Sequence, residues 1–505
     1  MALVLSIDAG TTGVRALLVD ERGAVRAHAY REFAQRFPRP GWVEHDPEDW
    51  WRATEDSARD ALATAGASAR DLASLGITNQ RETTVLWDRA TLRPVHPAIV
   101  WQDRRTSGRC RQLREAGHEG LVRERTGLVL DPYFSGTKLA WLLANVEGAA
   151  GAAAAGRLAF GTVDAYLVAR MTGGRVHATD RTNASRTLLF DIRRMAWDAD
   201  LLALLGVPAA VLPEVVPSAH VVGTTDPDAF LGAAVPIAGI AGDQQASLFG
   251  QACFAPGDAK STYGTGAFVL LHTGAEAPAS SHGLLTTVAC SAGAEPAYAL
   301  EGSVFVAGAA IQWLRDGLGL IARADEAGPL AASVPDAGGV FFVPALTGLG
   351  APWWDPHARG TIVGLTRGTT RAHIVRAAVE AIAHQTRDVV DAMRADAALP
   401  ISVLRADGGA SAMDLLLQLQ ADLLGTPVER SAVADTTAMG AAHLAGLATG
   451  IWGSTGELAT LWASDRRFEP GDVATAGARH AAWRRAVERA LGWADEDAGT
   501  DEDVG

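Results

Sequence analysis

Arg81 and Glu82 stand side by side at the end of an apolar run over 72–77. Arginine supplies only hydrogen-bond donors, and an ionised carboxylate only acceptors. Adjacent to each other, they can hold two neighbouring hydroxyls of a small polyol in one orientation, each charge-assisted bond contributing about 1.5–3 kcal/mol. The same pair can also be a surface ion pair or a salt bridge at the edge of a core. Asp243, in Gly242-Asp243-Gln244-Gln245, closes a second apolar run. A carboxylate there can take the proton of an alcohol during phosphoryl transfer, and such general-base help is typically worth about 10²–10⁴ in rate. It can instead cap a helix expected over 245–249. Trp101, Tyr133 and Phe268 can wall a small site or pack in a core.

Three glycine-bearing stretches can receive a phosphorylated ligand: Asp8-x-Gly10-Thr11-Thr12-Gly13, Tyr263-Gly264-Thr265-Gly266, and Asp407-Gly408-Gly409-Ala410-Ser411. Glycine lets backbone N–H groups approach an anion, and threonine hydroxyls add donors. Asp8, at a strand end, can hold Mg²⁺ through water, since that ion keeps much of its hydration shell. Ordinary turns use the same residues to satisfy their own backbone, and a glycine pair between strand and helix can merely permit close packing. Neither lysine follows a glycine, so no Walker loop is present. There is no His-Glu-x-x-His, and the 13 histidines show no metal-ligand spacing.

These residues need strands and turns to hold them. The pattern predicts strands over 3–7 and 14–19 around the first Gly/Thr turn, and a helix over 47–65. Asp46 is placed to cap that helix, and Pro47 fits its first position. Strands are expected over 235–241, 259–262, 268–272 and 401–406, with helices over 372–395 and 413–424. The Ala-rich stretch 148–156 reads as a surface connection or a loose helix. A strand, Gly/Thr turn and strand thus occur once in each half, which points to a duplicated α/β domain with a cleft between the copies.

The chain has 505 residues, too many for one core and suited to two large domains. Its net charge is −14, and six of the acids fall in the last eleven residues, leaving −8 on the remainder. That balance argues against a nucleic-acid partner, and the acidic end, 495–505, is expected to be disordered. Three cysteines without a C-x-x-C pair point to a reducing compartment. The apolar start carries no basic flank and meets Asp8 early, so it reads as a strand and not a leader. No stretch suits a membrane span. Only two residues are lysine, Lys138 and Lys260, against 42 arginines.

Taken together the motifs resemble the FGGY family of carbohydrate kinases over nearly the whole chain. The stretches carrying the resemblance include PGWVEHDP (40–47), GITNQRETT (76–84), DPYFSGTK (131–138), TNASRT (182–187), GIAGDQQA (239–246) and GLGAPWWDP (348–356). Within the family they are most similar to members that phosphorylate glycerol. The resemblance implies two actin-like, ribonuclease-H-like ATPase domains of α/β class flanking a central cleft, over 1–248 and 249–494. It implies ATP, Mg²⁺ and glycerol as ligands, a cytoplasmic enzyme, and a homo-oligomer, dimer or tetramer. It places glycerol on Arg81, Glu82, Trp101, Tyr133, Asp243, Gln244 and Phe268, with Asp243 as base. It places the nucleotide on Thr11, Thr12, Gly13, Arg15, Thr265, Gly308, Gln312, Gly409 and Met413, and the metal on Asp8 and Asp243. Ala9 and Gly13 depart from the residues common there. Met413 stands where relatives commonly carry Asn, which bears on recognition of the base.

Overall fold

The computed structural model describes residues 2–494; the acidic end expected to be disordered lies outside the described residues. Six strands of the first half form one sheet: β1 (Leu3–Ala9), β2 (Gly13–Asp20), β3 (Val25–Glu32), β4 (Leu72–Asn79), β5 (Ala219–Thr224) and β6 (Pro236–Gly242). Their order is β5-β6-β4-β1-β2-β3. Seven strands of the second half form another: β7 (Ala259–Tyr263), β8 (Ala267–Gly274), β9 (Leu285–Ala289), β10 (Ala297–Val304), β11 (Leu404–Asp407), β12 (Val428–Ser431) and β13 (Ser464–Phe468). Their order is β9-β10-β8-β7-β11-β12-β13.

The duplication expected from the two Gly/Thr turns is present in the topology. Followed from β3, the first sheet runs antiparallel, antiparallel, parallel, parallel, antiparallel. Followed from β10, the second sheet runs the same way, with β9 added outside. In both sheets the Gly/Thr turn joins an antiparallel hairpin whose first strand also pairs in parallel with the next.

Eight helices position the site: α1 (Pro47–Ala65), α2 (Ser135–Asn145), α3 (Arg181–Ala184), α4 (Asp243–Gly250), α5 (Gly308–Asp316), α6 (Arg371–Ala397), α7 (Asp414–Leu424) and α8 (Thr436–Ala448). Asp46 caps α1, accepting from Glu48 N at 3.0 Å. Along β1 the side chains alternate between faces, as a strand requires. Leu3, Leu5 and Ile7 pack with Trp50 and Ala58 of α1, whereas Val4 packs with Ala438 and Ala442 of α8. In the second half, Val269 and Leu271 pack with Ile382 and Val389 of α6 and Leu417 of α7.

Two expectations shift. The strand expected from 401 begins at Leu404, because its partner β7 begins at Ala259, which pairs with Leu404. The helix expected from 413 begins at Asp414, since Met413 has an extended backbone. The Ala-rich stretch resolves into a short helix, Ala149–Ala154.

Helix α8 follows the second sheet's strands in sequence but packs on the first sheet, against β1, β4 and β6. Sequence division and packing division therefore differ at this helix. The approach is backbone to backbone. A Cβ on Gly76 of β4 would fall onto the carbonyl of Ala441, and one on Gly440 onto the carbonyl of Ala246 in α4, the helix that follows β6. Gly440→Ala is expected to destabilise the protein by about 1–3 kcal/mol or more. Gly477→Ala, in an open stretch of the helix Val473–Val487, should be neutral or stabilising by up to about 1 kcal/mol. Denaturant unfolding of both variants checks this, and a wild-type midpoint for Gly440→Ala would refute the close approach.

Candidate active site

Three parallel strands deliver the first set of polar residues to one edge. In register, Ala9 of β1 and Gly242 of β6 both lie beside Asn79 of β4. The residues at these strand ends, Asp8, Arg81, Glu82 and Asp243, therefore emerge together at the carboxyl edge of the sheet, where open α/β sheets present their ligands. Glu82 has a positive φ of 61°. Thr83 N donates to Arg81 O at 2.7 Å around it, closing a three-residue turn. Such a conformation costs a non-glycine residue about 1–3 kcal/mol and needs outside support. Support comes at the Glu82 carbonyl, which accepts from Ser135 Oγ of α2 at 3.0 Å and Lys138 Nζ at 3.4 Å.

The Arg81–Glu82 pair is neither exposed nor self-contained. Its own contact is loose, 3.8 Å, and both side chains are buried. Arg81 is gripped by Glu301 of β10 through two bonds of 2.6 and 2.9 Å. Glu82 Oε1 accepts from Arg186 Nε at 2.6 Å, and Arg186 Nη2 donates to Glu301 Oε1 at 3.0 Å. Two arginines and two carboxylates thus form a closed buried ring. Burial alone would raise the Glu301 carboxyl, but Arg186 and Arg81 outweigh it and hold it at about 2. The remaining Arg81 nitrogen, Nε, faces Asp243 Oδ1 at 3.2 Å.

Asp243 is the first residue of α4, with Gly242 in the capping position. Its Oδ1 accepts from the adjacent Gln244 N at 2.7 Å. The side chain is 29% exposed, unlike the ring beside it. Burial raises its pKa, with Arg81 and Lys260 pulling the other way. A carboxyl so placed can exchange a proton with a group in the cleft. Trp101 and Tyr133 meet edge to face at 5.5 Å. Trp101 Nε1 also donates to Thr11 Oγ1 at 3.0 Å, joining the aromatic wall to the first hairpin. Phe268 stands opposite Thr262 in the second sheet and packs with the cluster of Leu248, Leu270 and Ala299.

The sequence-predicted nucleotide residues divide between the hairpins. In the first, Gln80 Nε2 donates to Gly10 O at 3.1 Å and Thr12 shares a 3.1 Å bond with the Tyr30 hydroxyl. Gly13 is closed off: a Cβ there would meet Tyr30 and Arg31, so only its backbone can serve a ligand. Arg15 pairs with Asp435 at 2.6 Å. In the second, Thr265 O and Gly264 O accept from Ala307 N and Gly308 N at 2.9 and 3.0 Å, fixing the turn to the start of α5. Gln312 is exposed one turn along that helix. The glycine pair separates into two roles. Gly408, at φ +85°, packs on the Tyr263 backbone, whereas Gly409 faces open space. Met413 lies against Gly328.

The carboxyl of Asp8 is pushed up to about 7 by burial first, with Arg15 opposing and Asp243 and Asp435 adding. Two carboxyls raised chiefly by burial could hold a hydrated Mg²⁺ between them and a phosphate. No cluster of three or more metal-ligating side chains occurs among the described residues. Sequence reasoning missed Glu301, Lys260 and Asp435, and Arg186 entered it only inside the TNASRT stretch. Glu301 had one signal, a lone charged residue within an otherwise uncharged strand.

Residues 3–250 match the N-terminal domain of the FGGY family of carbohydrate kinases, and residues 259–449 its C-terminal domain. The glycerol kinase of Aromatoleum aromaticum is 60% identical over 496 residues, covering 98% of this chain and 99% of that protein. Glycerol kinase 2 of Thermotoga maritima is 56% identical over 494 residues, covering 98% and 99%. The structure of Plasmodium falciparum glycerol kinase with ADP superposes with a TM-score of 0.90 at 35% identity, covering 97% of this chain and 98% of that one. A xylulose kinase from Lactobacillus acidophilus shares the fold, with a TM-score of 0.87 at 21% identity and coverage of 97% and 99%.

Removing one member of a buried ion ring leaves its partners uncompensated. Glu301→Gln is expected to cost about 3–5 kcal/mol of stability. Asp435→Asn breaks the half-exposed pair with Arg15 and should cost about 1 kcal/mol or less. Equilibrium unfolding of the two variants checks the ranking, and equal losses would refute it.

Proposed function

The chain belongs to the FGGY family of carbohydrate kinases, and from that footing we propose that it transfers the γ-phosphoryl group of ATP to glycerol, giving sn-glycerol 3-phosphate and ADP. The observation that supports this most directly is the Asp243 carboxyl beside the ring-held Arg81, at the edge where the first phosphate hairpin also ends. Arg81 and Glu82 present donors and acceptors to neighbouring hydroxyls. Gln244 adds an amide, and Trp101, Tyr133 and Phe268 supply apolar walls.

Asp243 accepts the proton of the attacking primary hydroxyl. As the new O–P bond forms, the bond from the γ-phosphorus to the β–γ bridging oxygen breaks, and ADP keeps that electron pair. The proton then passes from Asp243 to water. Little covalent work falls to the protein in such a transfer, so alignment and charge stabilisation carry it. Thr11, Thr12, Gly13 and Arg15 serve the phosphates from one side, and Thr265 and Gly308 from the other. Gln312, Gly409 and Met413 receive the nucleoside. Asp8 and Asp243 would hold Mg²⁺, which would supply neutralisation of phosphate charge. Closure of the cleft would exclude water, which otherwise competes with the alcohol. The reading also places the enzyme in the cytoplasm as a homo-oligomer, dimer or tetramer. Among the described residues, no helix is long and apolar enough to cross a membrane.

ADP release with Mg²⁺-ATP, compared across glycerol, erythritol, dihydroxyacetone and xylulose, tests the substrate. Glycerol should give the highest kcat/KM, and Asp243→Asn should lower kcat by about 10²–10⁴ or more. A better substrate among the other three would remove the assignment of glycerol, and a fully active Asp243→Asn would remove the base.

A further inference from the structure

The chain uses arginine for 42 of its 44 long basic residues, and its two lysines are Lys138 and Lys260. Both are fully buried, and both reach residues assigned to the alcohol site. Lys138 Nζ donates to the backbone of Tyr133 at 2.6 Å and of Glu82 at 3.4 Å. Lys260 Nζ donates to Gln244 Oε1 at 2.6 Å and to Thr262 Oγ1 at 2.8 Å. Where arginine is the default base, these two positions hold the compact ammonium, which differs from a guanidinium in shape and donor geometry.

We propose that Lys260 is a positioning residue of the alcohol site, acting by fixing the side-chain amide of Gln244; the proposal rests on the kinase reading above. An ammonium donates and cannot accept. The Gln244 oxygen must therefore face Lys260, and its two N–H donors are left for the cleft. The usual ambiguity of an amide is removed here by a charge on the adjoining strand. Thr262 anchors the same ammonium from β7, at the residue paired with Asp407 of β11. The charged groups facing Lys260 are Asp407, Asp243, Glu301 and Arg81. Burial pushes its amine down to about 8, so it is still an ammonium at neutral pH. A guanidinium is planar and wider, and between acceptors 2.6 and 2.8 Å away it has no room to replace the amine.

Steady-state kinetics on the full chain tests this with K260M, K260R, Q244A and the double variant K260M/Q244A. K260M and K260R should each raise KM for glycerol about tenfold or more, with KM for ATP within about twofold. The double variant should match Q244A alone, because Lys260 acts through Gln244. ADP binding by calorimetry and thermal melting establish that each variant is folded. Should K260M not fold, K260Q takes its place in the same cycle under the same criteria. A glycerol KM within about twofold of wild type, or effects that add in the double variant, would overturn the proposal. A wild type that makes no ADP with glycerol would overturn the kinase reading instead.

Discussion

The buried ring of Arg81, Glu82, Arg186 and Glu301 is the constraint on which the rest of the site depends. Each ion taken from water into such a place costs several kcal/mol, recovered only when geometry is good on every side. The ring has that geometry, and it spans both halves of the chain. Arg81 and Glu82 follow β4 of the first sheet, Arg186 follows α3, and Glu301 stands in β10 of the second sheet. The halves must therefore meet in one registration. Neighbouring bonds enforce it: Tyr298 OH donates to Ile192 O at 2.8 Å, and Gln245 Nε2 donates to Thr287 Oγ1 at 3.1 Å. A small apolar cluster of Phe190, Ile192, Val288 and Tyr298 seals the same seam.

The ring explains why a strained residue can sit at the mouth of β4. The positive φ of Glu82 swings its carboxylate to Arg186, while Arg81 turns the other way to Glu301. With both charged heads tied behind the site, their orientation toward the cleft is set before any ligand arrives. That is preorganisation in a concrete sense: the cost of aligning dipoles is met in folding and not at the moment of reaction. The half-exposed Asp243 is the contrasting member. It touches the ring through Arg81 Nε alone, so it can change protonation without unpairing the others.

Much of the scaffold was legible in the sequence because its signals are local. Gly-Thr turns marked both hairpins, and Asp46-Pro47 marked the start of α1. The site was legible in part. Arg81, Glu82 and Asp243 could be singled out by chemistry, but their true partners could not. Glu301 lies 220 residues from Arg81 in sequence, and no local pattern announces a pairing at that distance. The clamp imagined between adjacent side chains is in fact two separate grips, each made by a residue from elsewhere in the chain. The placement of α8 on the first sheet was hidden for a similar reason. Its glycines and alanines fit any buried helix, and only the contact of the Ala441 carbonyl with Gly76 of β4 shows which sheet they serve. The lysine scarcity was visible from the start, but it acquired meaning only when both amines were found at one site.

The electrostatics of the cleft also bear on why a kinase site should look this way. Within the ring, charge is balanced. At the first hairpin it is not: Arg15 is occupied by Asp435, and Asp8 and Asp243 repel each other. A polyphosphate approaching this edge meets carboxylates, and repulsion at a few ångströms in a partly buried site amounts to several kcal/mol. Backbone amides of the Gly/Thr turns offset part of it. In the proposed transfer the rest would fall to Mg²⁺ held by Asp8 and Asp243. Arg81 stands 3.2 Å from Asp243 without holding its pKa down, because burial outweighs it. At both carboxyls burial outweighs the nearby cations, Arg15 at Asp8 and Arg81 with Lys260 at Asp243, so each binds a proton more readily than a carboxyl in water, as a base must.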